Sequence, residues 1–164
     1  MQNGQYPGKY MSEARRFMNE AYKEAIKAYK KGEVPIGAVI VKEGKILARA
    51  HNERETKKDA TLHAEISAIR KACKKLGSWR LKDCDMYVTL EPCAMCAGAL
   101  IQARIKTLYI ATADPKAGAV GSVTDILSIK NFNHKIDVIY GIMEEECSTI
   151  LKDFFRELRC KPRP

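Results

Sequence analysis

An α/β sandwich built on a five-stranded mixed sheet is the fold this sequence predicts. Segments with apolar residues at helical spacing alternate along the chain with short runs that suit strands. The Glu43-Gly44 turn folds two of those runs into a hairpin, which gives the sheet an antiparallel pair. The later strand–helix–strand succession calls for right-handed crossovers between parallel strands. Size agrees, since 164 residues with 46% apolar content can bury one real core.

Each element has a local cause. Ala14, Met18, Ala21, Ala25 and Ala28 lie on one stripe of a helix over 12–31, capped by Ser12 and closed by Gly32. Residues 36–41 make a strand and 45–51 run back beside it, after which the polar stretch 52–60 is a loop. Leu62, Ile66, Ile69, Cys73 and Leu76 mark a second helix, with Thr61 as its cap and Gly77 as its stop. Residues 84–90 form a third strand. Pro92, tolerated in a first turn, opens a helix through Ala103 that is apolar nearly all round and so is expected to be buried. A strand over 105–111, a glycine-containing loop over 114–121, a short helix over 122–128 and a strand over 136–140 follow. The last helix, 144–159, turns Cys147, Leu151, Phe154 and Leu158 inward, and its acidic start and basic end suit the helix dipole. One domain covers 12–160, with 1–11 a flexible tail and 161–164 a second tail.

The formal charge is +9 and the isoelectric point near 9.3. Such a balance suits a polyanionic partner, although plain solubility explains it equally well. No apolar run is long enough to span a bilayer, and the polar first residues lack the apolar stretch of a leader. The expectation is a soluble, cytoplasmic protein whose six cysteines are reduced thiols or metal ligands rather than disulfides.

Two segments carry chemistry: His63-Ala64-Glu65 and Pro92-Cys93-Ala94-Met95-Cys96. Cys93 and Cys96 share one face of a helix and lie at its positive end, which favours thiolates. His63 begins its own helix. Two sulfurs and an imidazole make three zinc ligands, and a catalytic site keeps the fourth position for water where a structural site closes it. Cys73, Cys84 and His51 stay formal candidates for a fourth ligand, but none has a finger-like spacing. Glu65 is expected to carry protons between a zinc-bound water, a ring nitrogen and departing ammonia. H-x-E with P-C-x-x-C resembles the signature of the zinc nucleobase deaminases, a group that includes the bacterial tRNA adenosine deaminases.

The wider pattern resembles the bacterial tRNA-specific adenosine deaminases of the cytidine/deoxycytidylate deaminase superfamily. The resemblance rests on residues 33–38 (EVPIGA), His51-Asn52, His63-Ala64-Glu65, residues 89–99 (TLEPCAMCAGA), residues 114–119 (DPKAGA), Phe132-Asn133-His134 and Phe154-Phe155-Arg156. It implies a cytidine-deaminase-like three-layer sandwich and a homodimer that deaminates the wobble adenosine of a tRNA anticodon stem-loop. It further implies one zinc per chain on His63, Cys93 and Cys96, with Glu65 as proton shuttle. Asn52 would bind the flipped purine, Ile36 would wall the pocket, and Asp114, His134 and Phe155 would border the RNA.

Several residues keep two readings. His51 is either a stacking residue or an exposed strand-end histidine. Glu91 either fixes a ligand or sits on the surface at a strand end. Asp114 either meets a ribose 2′-hydroxyl or only shapes its own Asp-Pro turn. Trp79 packs in the core or at a subunit contact. The basic clusters around Arg70–Lys75 and Lys152–Arg159 are solvated helix faces, part of the second suiting phosphates. Two other functions compete: a zinc deaminase of a free base or nucleoside such as guanine or cytosine, and a structural zinc module that binds nucleic acid without chemistry.

Overall fold

A computed structural model describes residues 8–162. The expected tail over 1–7 and the last two residues lie outside the described part. The first helix, α1 (Gly8–Lys30), begins at Gly8, so residues 8–11 are helical and not tail. Ser12 does not cap it; its hydroxyl donates to the Lys9 carbonyl from inside the helix (2.8 Å). The predicted stripe is the buried one, Ala14 through Ala28 being at most 2% exposed at the five named positions.

β1 (Gly37–Lys42) and β2 (Lys45–His51) form the hairpin, with a bulge at Ile40/Val41. Gly37 lies directly under α1: a Cβ there would sit 2.0 Å from the Ala21 carbonyl oxygen, so only glycine admits this crossing. The polar stretch expected as loop holds one helical turn, α2 (Arg54–Lys57). α3 (Ala64–Leu76) ends at Gly77, left-handed at φ 66° as the sequence requires. β3 (Cys84–Leu90), α4 (Ala94–Ala103) and β4 (Thr107–Thr112) make the parallel crossover, followed by β5 (Asp137–Tyr140) and α5 (Glu144–Cys160).

The sheet is five-stranded, ordered β2-β1-β3-β4-β5, with β1 antiparallel to both neighbours and β3, β4 and β5 parallel. Alternate residues of the central strands serve two cores, as the two-residue period of a strand dictates. Ala38, Ile40, Met86, Val88, Leu108 and Ile110 face α3 and α4. Val39, Val41, Tyr87 and Tyr109 face α1 and Cys147 of α5, with the two tyrosine rings stacked at 4.2 Å. The result is the three-layer sandwich the sequence predicts.

Three expectations are corrected. Residues 122–128 form turns and a single Val120–Asp125 bridge, not a helix, because the chain there is bonded outward to Glu91. α4 is not buried all round: Ala94 and Met95 face solvent while Cys96, Ala97, Leu100 and Ile101 are covered. Trp79 is no core residue; it is 54% exposed, with the Arg80 guanidinium 4.0 Å above its ring.

Candidate active site

The site gathers where α3 and α4 begin. Cys93 follows β3 through Leu90-Glu91-Pro92 and is the N-cap of α4, in extended conformation (φ −73°, ψ 176°). The helix therefore starts after Cys93 rather than at Pro92. An N-cap side chain and the side chain at the third helical position lie side by side, so Cys93 and Cys96 converge. His63 is likewise the N-cap of α3 (φ −73°, ψ 155°). Neither side chain makes a cap hydrogen bond, which leaves both free to meet.

They meet at one point. His63 Nδ1 lies 3.6 Å from Cys93 Sγ and 3.6 Å from Cys96 Sγ. Zinc bonds of about 2.3 Å to sulfur and about 2.0–2.1 Å to nitrogen give a tetrahedral S···N edge of about 3.6 Å. The donor set and its spacing thus fit a tetrahedral zinc. Among the described residues no fourth histidine, cysteine or carboxylate joins the group, so Cys73, Cys84 and His51 are excluded from it. The thiols already differ: Cys93 is pulled down to about 3, chiefly by a hydrogen bond from Cys96 and, against burial, by His63. Cys96 is pushed up by that same bond and by burial, and His63 is raised by Cys93.

Glu65, in the first turn of α3, is 3% exposed, and its Oε2 has no hydrogen-bond partner among the described residues. Burial pushes its carboxyl up to about 7. An orphaned acid beside three metal donors is what a reaction site requires and a structural metal site does not.

A cavity of about 590 Å³ opens over this group. Ile36, Asn52, Asp114 and Phe155 of the expected substrate residues line it, together with His63, Glu65 and Cys93. Cys96 lies beneath, fully buried. His134 does not line the cavity: its Nε2 donates to the Ile105 carbonyl (2.6 Å) and ties its loop to the start of β4. His51 is neither stacking nor exposed; its Nδ1 meets Glu24 Oε2 and its Nε2 meets Lys31 Nζ, each at 2.9 Å. Arg54, Lys116, Lys152 and Arg159 also line the cavity, and of these only Lys152 and Arg159 stood out by their clustering. The Arg70–Lys75 cluster is solvated, as expected of a helix face.

Glu91 fits neither of its two readings. It is 2% exposed and holds the loop after β4. Its Oε2 accepts from Asp114 N (2.9 Å), and its Oε1 accepts from Val120 N (2.9 Å) and Ser122 N (3.1 Å), while the Ser122 hydroxyl donates to it as well. Burial opposes its charge, but those donors hold its carboxyl below the usual range. Gly118 is required there, since a Cβ would meet the Glu91 carboxylate at 2.3 Å. Asp114 Oδ1 accepts from Lys116 N (3.0 Å) and Ala117 N (3.3 Å), so the turn-shaping role is realised. Because the folded-state pKa of Glu91 is depressed, its contribution is present above the ordinary carboxylate pKa and is lost as pH falls through the folded value. Glu91→Gln keeps one acceptor oxygen and loses the charge. It is expected to cost about 2 kcal/mol and to speed amide exchange at Val120 and Ser122. Unchanged exchange at both amides would remove Glu91 as the strap of this wall.

Comparison with known proteins agrees with this geometry. The family model of MafB19-like deaminases matches residues 12–159. A tRNA-specific adenosine deaminase of Bacillus subtilis is 50% identical over 153 residues, covering 93% of this chain and 95% of that protein. One from Aquifex aeolicus is 47% identical over 143 residues, covering 87% and 94%. A solved structure from work on A-to-I editing by tRNA:A34 deaminases at the wobble position superposes with a TM-score of 0.81 at 48% identity, covering 83% of this chain and 99% of that one. No helix among the described residues is long and apolar enough to cross a membrane. With the fold, the three-donor group and the buried acid in agreement, the chain belongs to the MafB19-like deaminase family and, within it, to the tRNA-specific adenosine deaminases.

Proposed function

We propose that this protein hydrolyses adenosine to inosine at the wobble position of a tRNA anticodon loop, through a catalytic domain spanning 12–160. The observation that carries the reading is Glu65: a buried carboxylate with an orphaned oxygen, beside a histidine and two cysteines spaced for zinc, at the base of an open cavity. His63, Cys93 and Cys96 would hold one zinc. Bound there, the ion would lower the pKa of a water and supply it as nucleophile near neutral pH.

The chain's own residues do the rest. Glu65, raised to about 7, can take a proton from water and give it to the purine ring nitrogen as the carbon bearing the amino group is attacked. It can then take the second proton from the hydroxyl now on that carbon and pass it to the departing amine, so that the carbon–nitrogen bond breaks and adenosine and water become inosine and ammonia. Asn52, buried at the cavity wall, is suited to orient the base by its amide. Ile36 and Phe155 offer apolar surface on which a flipped base and its neighbour can rest. Asp114 spends Oδ1 on its own turn, which leaves Oδ2 to meet a ribose hydroxyl. The motif resemblance adds a homodimer, and the uncovered apolar face of α4 at Ala94 and Met95 supports that reading. A tRNA in the cytoplasm is the proposed partner, in line with the relatives named tRNA-specific adenosine deaminase.

Four cations, Arg54, Lys116, Lys152 and Arg159, surround the cavity. If they replace counterions on a single-stranded loop, log K should fall against log salt with a slope of roughly −3. Titration of Glu65→Ala with a labelled stem-loop measures it, and a flat response would remove the cationic rim from recognition. The function itself is tested by ammonia release from a panel of anticodon stem-loop RNA, free adenosine, guanine and cytosine. Release from the stem-loop alone is expected; release from guanine or cytosine in preference would replace this reading.

A further inference from the structure

Glu33 lies in the turn between α1 and β1 and is fully buried, 0% exposed. Its Oε1 accepts from the backbone N–H of Thr56 at 2.6 Å, satisfying a donor in the first turn of α2 that no capping side chain serves. Its Oε2 accepts from Asn52 Nδ2 at 3.4 Å, and the Val34 carbonyl accepts from the same nitrogen at 3.5 Å. A carboxylate and a carbonyl only accept hydrogen bonds, so both must face the amide's NH₂ group. This fixes which way Asn52 points, a matter otherwise open for an amide. With its hydrogens turned to Glu33 and Val34, Asn52 keeps Oδ1, which accepts from Arg54 N at 3.4 Å and has a second lone pair to offer.

We propose that Glu33 is a positioning residue that sets substrate recognition: it locks the Asn52 amide so that the cavity meets the bound base through an acceptor oxygen. By the same carboxylate it holds the turn carrying Arg54 at the cavity wall. The inference rests on the reading that Asn52 meets the base. On adenine the donor such an oxygen can meet is the exocyclic amino group, since N1, N3 and N7 only accept. Replacing the carboxylate by an amide sets an NH₂ against the Asn52 NH₂, which leaves the Val34 carbonyl and the Arg54 N–H as the only contacts that still hold the amide.

The test is a double-mutant cycle on a stem-loop adenosine, with a side-chain readout that needs no substrate. Glu33→Gln is expected to lower kcat/KM by about 10- to 100-fold and to add no further loss in an Asn52→Ala background. Full additivity with Asn52→Ala, or a wild-type rate, would overturn the proposal. In labelled protein the Asn52 side-chain NH₂ should exchange slowly in wild type and quickly in Glu33→Gln. Equal exchange in both overturns the proposal even if wild type proves inactive on the stem-loop, a result that would count against the proposed function alone. If Glu33→Gln does not fold, the pair Glu33→Gln with Asn52→Asp reverses donor and acceptor across the contact. That pair is expected to fold where the single variant does not, and failure of this rescue also overturns the proposal.

Discussion

Glu65→Ala is expected to keep its metal and its melting temperature and to lose at least about 10²-fold in kcat, the scale of a general acid–base group. The side chain is 3% exposed, its Oε2 lacks a partner, and its loss breaks only contacts to its own backbone N–H and to Cys96. An unpaired buried acid is itself a burden on stability, and removing it leaves the melting temperature equal or higher. The loss would therefore appear in turnover and not in folding. Elemental analysis, thermal melting and single-turnover kinetics together separate the two. Turnover at the wild-type rate would end the proton-carrier assignment, and loss of metal in this variant would make Glu65 a ligand instead.

Cys93→Ala carries the second large effect. If His63, Cys93 and Cys96 hold one zinc as proposed, removal of one donor is expected to take zinc from about one per chain to a small fraction, with activity falling below detection. As the N-cap of α4, Cys93 makes no capping bond with its side chain, so alanine costs the helix little by itself. The melting temperature should nevertheless fall, because binding an ion to the native state stabilises it by mass action. Wild type stripped with a chelator should melt where the metal-free variant melts. Full zinc occupancy in Cys93→Ala would remove Cys93 from the site.

Much of this was legible locally. β2 and β3 carry their own signals, and Gly77 ends α3 because a left-handed residue is needed there. The grouping of His63, Cys93 and Cys96, with Glu65 beside them, follows from residue type and spacing at two helix starts. What escaped was set by contacts distant in sequence. Glu91 looks like a strand-end residue, yet its four donors come from residues 114–122, and its pull on Val120 and Ser122 is why no helix forms there. Glu33 stood in a recognised segment without a role, since only the fold brings Asn52 and Thr56 to it. His51 could not be assigned because Glu24, one helix away, decides its environment. Pro92 suggested a helix start, but Cys93 remains extended and the helix opens one residue later, which is what turns the two sulfurs together.

The reaction proposed for this site is deamination of an adenosine exposed in an RNA loop. Sequencing an anticodon stem-loop RNA after incubation with the zinc-loaded protein tests it most directly, because inosine is read as guanosine. The account predicts conversion at the first anticodon position, little at an adenosine held in the paired stem, where unstacking must be overcome, and none with Glu65→Ala. Conversion of stem and loop adenosines alike, or an unchanged loop adenosine beside active deamination of a free base, would contradict it.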